Sequence, residues 1–155
     1  MENTSDSPFF DLGENTALVC VDHQQFQKLV VPQLIDLNYK VHLGLYEEDV
    51  MLKLKTYSYN VVVVHEAFKG STVETNPILA EMVKLQGQQR RQHFVILLSH
   101  QFGTNDAMSA FVQSVDQIVN VADLANFKTV IRRAVAQHRE LYSAFNETLK
   151  AVNAI

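Results

Sequence analysis

The chain has 155 residues, enough for one ordinary domain with a sizeable core. Its 13 basic and 17 acidic residues give a formal net charge of −4, and no Lys/Arg cluster offers a footprint for a phosphate backbone, so direct nucleic-acid binding is not expected. The single cysteine, Cys20, excludes an intramolecular disulfide framework and points to a reducing, cytoplasmic setting. The longest apolar runs fall far short of the roughly 20 residues that span a bilayer, and Met1 is followed by acidic and polar residues instead of a basic then apolar leader, so neither membrane insertion nor export is expected.

In chain order, residues 1–16 are rich in Ser, Asp, Pro, Gly and Asn, with only Phe9 and Phe10 able to pack, and read as a loosely docked tail. Residues 17–155 read as a single domain. Ala17 to Val21 is a continuous apolar strand ending at Asp22-His23. Phe26, Leu29, Val30, Leu34 and Leu37 recur at helical spacing and predict a helix from about Gln24 to Asn38, with Pro32 inside it demanding a bend or an irregular first turn. Lys40 to Tyr46 alternates, with Val41, Leu43 and Leu45 on one face, as suits an edge strand. Glu47, Glu48 and Asp49 favour a helix start, and Val50, Met51, Leu54 and Tyr57 form its predicted buried stripe.

Asn60 to Phe68 is the centre of the pattern. Four consecutive β-branched residues, Val61 to Val64, predict a strand buried on both faces, and His65-Glu66 follows at its carboxyl end. Asn76 can cap and Pro77 can open the next helix, which is predicted to close near Gly87 before a solvated Gln88–Gln92 connection. Phe94 to Leu98 is a further buried strand ending at Ser99-His100. Thr104-Asn105-Asp106 introduces a helix whose Met108, Phe111, Val112 and Val115 are expected to face inward. Gln117 to Val121 is a last short strand, and one helix runs from about Leu124 to Val152. Uniformly apolar strands alternating with helices predict an α/β fold, a doubly wound five-stranded parallel sheet of order 2-1-3-4-5 with an extended C-terminal helix, because that order leaves the alternating second strand at an edge.

Leu18-Val19-Cys20-Val21-Asp22, Leu37-Asn38-Tyr39-Lys40-Val41, Tyr59 to His65 and Val95-Ile96-Leu97-Leu98-Ser99 resemble the receiver domain of bacterial response regulators, the CheY-like (flavodoxin-like) fold, over about residues 17–140. The resemblance implies two acids after strand 1 that bind magnesium, an aspartate after strand 3 that accepts a phosphoryl group, a Thr or Ser after strand 4 that senses it, and a Lys-Pro after strand 5 that neutralises it. Here Asp22 takes one acidic position and His23 replaces or follows it. His65, with Glu66 beside it, occupies the phosphoacceptor position; Ser99 matches the Thr/Ser; Asn120 falls at the lysine, with Val121 for the proline and Gln117 near the place of a switching aromatic. An acyl phosphate needs a carboxylate nucleophile, a metal on oxygen ligands and a cation. The implied reading is therefore a pseudo-receiver that is not an enzyme, takes no cofactor and is not phosphorylated on aspartate.

The rival reading is a sensor module whose strand-end pocket holds a metal or small ligand on Asp22, His23, His65 and His100, since imidazoles with a carboxylate form a competent zinc or iron set; none of these histidines has a recognisable ligand spacing. Glu66 is expected to face solvent, Cys20 to be a core residue, and Arg90-Arg91 to be a solvated turn. A flavodoxin-like enzyme would need a glycine loop after strand 1, which Asp22-His23-Gln24-Gln25 lacks. In the last helix Phe127, Ile131, Ala134, His138, Leu141, Phe145, Thr148 and Val152 recur at alternating intervals of four and three, a coiled-coil seam. His138, Leu141, Tyr142, Phe145, Leu149 and Val152 lie beyond the sheet and call for a cover. The expected partner is another signalling protein or domain, or a second copy of the chain forming a homodimer through this helix, with the Phe9-Phe10 tail folding back as the alternative cover.

Overall fold

The computed structural model describes residues 15–85 and 87–153, with side-chain burial also left aside at residues 87, 88, 142, 146 and 153. The strands are β1 (Asn15–Cys20), β2 (Tyr39–Leu43), β3 (Val61–His65), β4 (Phe94–Ser99) and β5 (Gln117–Asn120). They form a five-stranded sheet of order β2-β1-β3-β4-β5, and each pairing is parallel. The helices are α1 (Gln24–Asp36), α2 (Glu47–Thr56), α3 (Pro77–Lys84), α4 (Gly87–Arg91), α5 (Ala107–Gln113) and α6 (Phe127–Asn153). The predicted architecture and strand order stand.

Unbroken apolar strands follow from burial on two faces. Ala17, Val19, Val61, Val63, Ile96, Leu98 and Val119 pack under α1 and α6, meeting Val30, Leu34, Phe127 and Ile131. The alternate residues Leu18, Cys20, Val62, Val64, Val95, Leu97 and Ile118 meet Val50, Ile78, Met82 and Ala110 from α2, α3 and α5. Cys20 is thus a core residue, and burial pushes its thiol far above the ordinary range, which removes the thiolate that reactivity would need. At Gly44 the backbone passes so close to α2 that a Cβ would collide with Val50 Cγ2.

Several sequence expectations change. β1 opens at Asn15, so Asn15 and Thr16 belong to the strand and not to the tail; the rest of that tail lies outside the described residues. Pro32 sits within one continuous helix, on its exposed side, and Gln33 Nε2 donates to Leu29 O across the weakened turn (2.8 Å). The same Gln33 ties α1 to the last helix, donating to Leu124 O (2.7 Å) and accepting from Lys128 N (2.6 Å), so it caps α6 from a neighbouring element. The helix capped by Asn76 ends at Lys84, and Gly87 opens the short α4 instead of closing α3.

Arg90 is no solvated residue: it donates to Asp116 Oδ2 (3.1 Å), His93 O (2.9 Å) and Ser114 O (2.9 Å), joining α4 to the entry of β5. Tyr57 is half exposed, not part of a buried stripe. The largest reversal is α5, where Met108, Phe111 and Val112 are 72%, 80% and 66% exposed and the sheet is met by Ala110 and Val115. A short 3-10 segment at Val121–Asn126 precedes α6, so the last helix starts at Phe127.

Candidate functional site

The carboxyl ends of β1, β3 and β4 converge, as an open parallel sheet requires. Val21-Asp22-His23 leaves β1, His65-Glu66 leaves β3, and Ser99-His100 leaves β4. The register sets their relations: His65 pairs with Leu98, and Glu66 N extends the ladder by donating to Leu98 O (3.0 Å).

Glu66 therefore stands level with Ser99, and it is 8% exposed, contrary to the expected solvent-facing glutamate. Its carboxylate is tied on both oxygens. Ser99 Oγ donates to Oε1 (2.8 Å) and His100 N donates to Oε2 (3.1 Å). Ser99 Oγ in turn accepts from Gln101 N (3.1 Å) and Phe102 N (2.9 Å), which fixes the loop after β4. A buried carboxylate is tolerable because charge-assisted donors replace its water.

His65 is 4% exposed. Its Nε2 shares a hydrogen bond with His100 Nε2 (2.8 Å), while its Nδ1 is buried with no partner among the described residues. Burial pulls this imidazole below its ordinary value, His100 adds to the effect, and Asp22 and Glu66 oppose it. One ring nitrogen of the pair donates to the other, the direction following the tautomers. Phe26 closes over it, 5.2 Å from the His65 ring and 5.8 Å from that of His100 between centroids.

The remaining predicted residues serve backbone geometry. Asp22 Oδ2 accepts from Lys69 N (2.9 Å), holding a turn in which Lys69 (φ 54°) and Gly70 (φ 75°) are left-handed. His23 Nδ1 accepts from Phe26 N (3.4 Å) and its ring stacks on Phe26 at 4.0 Å, so it acts as the N-cap of α1. Asn120 is the outlier: its Oδ1 accepts from Ala122 N (3.0 Å) and its Nδ2 donates to Phe102 O (2.8 Å), both away from His65. Among the described residues no group of three or more His, Cys, Asp or Glu side chains is placed to hold a metal ion. His65 and His100 face each other directly, and His23 and Asp22 are engaged elsewhere.

Asn76 is a site residue that the sequence reading placed only as a helix cap. It is 1% exposed; its Nδ2 donates to His65 O (2.9 Å) and Glu66 O (3.2 Å), and its Oδ1 accepts from Ile78 N (2.9 Å) and Leu79 N (3.2 Å). One side chain thus joins the end of β3 to the start of α3. A second grouping, unforeseen, is His42 Nδ1 with Tyr59 Oη (2.7 Å), with Tyr57 nearby, beside a groove of about 440 Å³ between β2 and α2.

The last helix supplies the other candidate surface. Phe127, Ile131 and Val135 are buried and His138 is half-buried with its ring 5.1 Å from that of Phe94. From Arg139 to Val152 every side chain whose burial is described is exposed, including Leu141, Phe145, Leu149 and Val152 at 73%, 50%, 43% and 61%. The Tyr142 side chain lies outside the described residues. No described helix is long and apolar enough to cross a membrane.

No protein-family model matches the chain, and no curated protein matches it. Solved structures do. An orphan response regulator of H. pylori matches with a TM-score of 0.59 at 13% identity, covering 79% of this chain and 97% of that one. NtrX from Brucella abortus matches with a TM-score of 0.66 at 14% identity over 86% of this chain, which spans only 29% of NtrX. A response regulator from Burkholderia pseudomallei, solved with a phosphorylated aspartic acid, calcium ion and citrate, matches with a TM-score of 0.58 at 13% identity, covering 88% of this chain and 74% of that one. At such identities the likeness is one of fold: the chain has the CheY-like fold of receiver domains.

Proposed function

We propose that the chain is a pseudo-receiver, a cytoplasmic signalling module that works by protein–protein contact and is not switched by magnesium-dependent aspartyl phosphorylation. The observation that carries this reading is the state of the β3 end. His65, which the resemblance puts at the phosphoacceptor position, is buried and bonded to His100. The neighbouring carboxylate, Glu66, has both oxygens engaged by Ser99 Oγ and His100 N. A nucleophilic carboxylate would have to give up both bonds, and no lysine stands at Asn120 to receive the phosphoryl oxygens.

The Ser99 hydroxyl adds support. In receivers the corresponding hydroxyl meets the phosphoryl group; here it already donates to the Glu66 side chain, so the fold holds one arrangement without a chemical trigger. Output then has to come from surfaces, and the exposed apolar stretch of α6 is one that lacks a cover among the described residues. Leu141, Phe145 and Val152 continue the heptad seam of the buried half, with Leu149 beside it, so a second copy of the same helix meets them with matched spacing. The proposed assembly is a homodimer through α6 that presents the receiver-like body to another signalling protein. The metal- or ligand-sensor reading has less support, because Glu66, Ser99 and His100 bond one another and no group of three ligating side chains among the described residues is placed to hold a metal ion.

The test is acetyl phosphate with magnesium, read by intact mass. An unchanged mass is expected; a phosphoryl adduct on Glu66, Asp22 or His65 would overturn the pseudo-receiver reading.

A further inference from the structure

The seam of α6 changes its surroundings halfway along, and that change fixes how a second helix can lie on it. Phe127, Ile131 and Ala134 turn the seam onto the chain's own sheet, against Val61, Ile96 and Val119. His138 is the last seam residue to meet the sheet, its ring 5.1 Å from that of Phe94 at the start of β4. Past it, Leu141, Phe145 and Val152 carry the same face into solvent. The helix is continuous from Phe127 to Asn153 with no Pro or Gly inside it, so nothing in its sequence turns that face aside between the two halves.

A second copy has two ways to meet the outer seam. In parallel pairing each seam residue faces its own equivalent. The partner's helix, followed back past Leu141, then runs along the seam side of the inner half, where this chain's sheet already lies. Paired helices lie about 8–10 Å apart, and their crossing angle of about 20° separates them too slowly to clear a sheet. In antiparallel pairing Leu141 faces the partner's Val152, Phe145 faces the partner's Thr148, and the two bodies stand at opposite ends. The overlap is residues 139–152, about 21 Å of helix.

Antiparallel pairing also brings the end of the partner's helix to a place of opposite charge. Where α6 leaves the sheet, Arg91, His138 and Arg139 edge a cavity of about 200 Å³ floored by Val61, Phe94 and Val135. Arg91 is exposed, with no hydrogen bond or ion pair among the described residues, and Arg139 Nη2 donates to Asn15 Oδ1 (3.1 Å). The carboxyl end of a helix carries carbonyls without intrahelical donors and about half a negative charge. With Val152 on Leu141, the end of the partner's α6 falls level with Arg139, while Glu140 and Lys150 sit off the seam.

We propose that a second copy docks on α6 antiparallel over residues 139–152, with the end of each helix seated against Arg91 and Arg139 at the base of the other. The inference rests on the dimer reading and adds its orientation. Two four-turn helices make a small contact by themselves, and seating each end on a body enlarges it toward the roughly 1,200 Å² of a stable interface.

Cysteine crosslinking of the full chain tests the orientation. Leu141→Cys combined with Val152→Cys is expected to give covalent dimers under mild oxidation, while either substitution alone gives about tenfold less. Within one chain the two positions are about 16 Å apart along the helix and cannot bridge, and the native Cys20 is buried. Crosslinking by Leu141→Cys alone would mean parallel pairing and overturn the proposal with the dimer intact. A native dimer by light scattering whose double variant does not crosslink would overturn the register. A native protein of single-chain mass would instead remove the dimer reading itself. At the helix end, Arg91→Glu should raise the dimer dissociation constant about threefold or more at low salt; an unchanged constant would overturn the seating on Arg91.

Discussion

The strand-end pocket and the outer half of α6 are opposites. At the pocket, polar groups are buried but almost completely paired: Glu66 holds Ser99 and His100, Asn76 holds both carbonyls of His65 and Glu66, and the two imidazoles hold each other. On α6, apolar groups are exposed and follow a regular seam. A closed polar network stores stability, whereas an open apolar seam stores affinity. Under the proposed reading the difference puts the work of this molecule on its surface and makes the strand-end pocket a structural joint.

The contrast can be broken first at Asn76. Asn76→Ala removes the side-chain donor to His65 O and the acceptor of two helix amides, while Glu66 O keeps Ser71 Oγ (3.1 Å), and should cost about 3 kcal/mol in chemical denaturation. Glu66→Ala removes the acceptor of Ser99 Oγ and His100 N and should cost about 2 kcal/mol; a change below half of that would mean the network is not a joint.

Acid acts on the pocket through His65 and on two histidines away from it, His42 and His93. Burial lowers His42, with Lys40 and Lys53 adding to it; burial also lowers His65 and, against the Tyr59 carbonyl, His93. A base whose folded value is depressed takes up its proton more readily when unfolded, so the stability held above the ordinary value near 6.5 falls as pH drops through the window below it. The loss is up to about 1.4 kcal/mol per pH unit for each group, and His65→Leu should make the slope shallower. Above that window the same His65→Leu should change stability by less than about 1 kcal/mol, because it removes an unpartnered buried nitrogen along with the His100 bond.

The fold was legible because Val61 to Val64 and Phe94 to Leu98 leave no polar face, and such strands belong between two helical layers. The edge position of β2 followed from its alternation. Helix faces were harder. In α5, Met108, Phe111 and Val112 share one stripe, but its orientation is set by Asp106, which caps Ser109 N (3.0 Å), and by Asn105 N bonding to Ile118 O (3.1 Å). Those contacts turn Ala110 to the sheet, and periodicity alone does not say which stripe faces inward.

At the site, His65, Ser99 and Asp22 could be placed by counting from strand ends. The burial of Glu66 could not, because it depends on cross-strand register, which sets it level with Ser99. The role of Asn76 was half visible: Asn-Pro signals a cap, while its bonds to His65 O and Glu66 O need the third dimension.

The measurement that bears most directly on contact-based function is the molar mass of the full chain by light scattering, beside a Leu141→Lys, Phe145→Lys variant. Both side chains are exposed, so the variant should keep its stability within about 0.5 kcal/mol. The account predicts twice the chain mass for the native protein and the single-chain mass for the variant. A native protein that is monomeric at all concentrations, or a variant that stays dimeric, would contradict it.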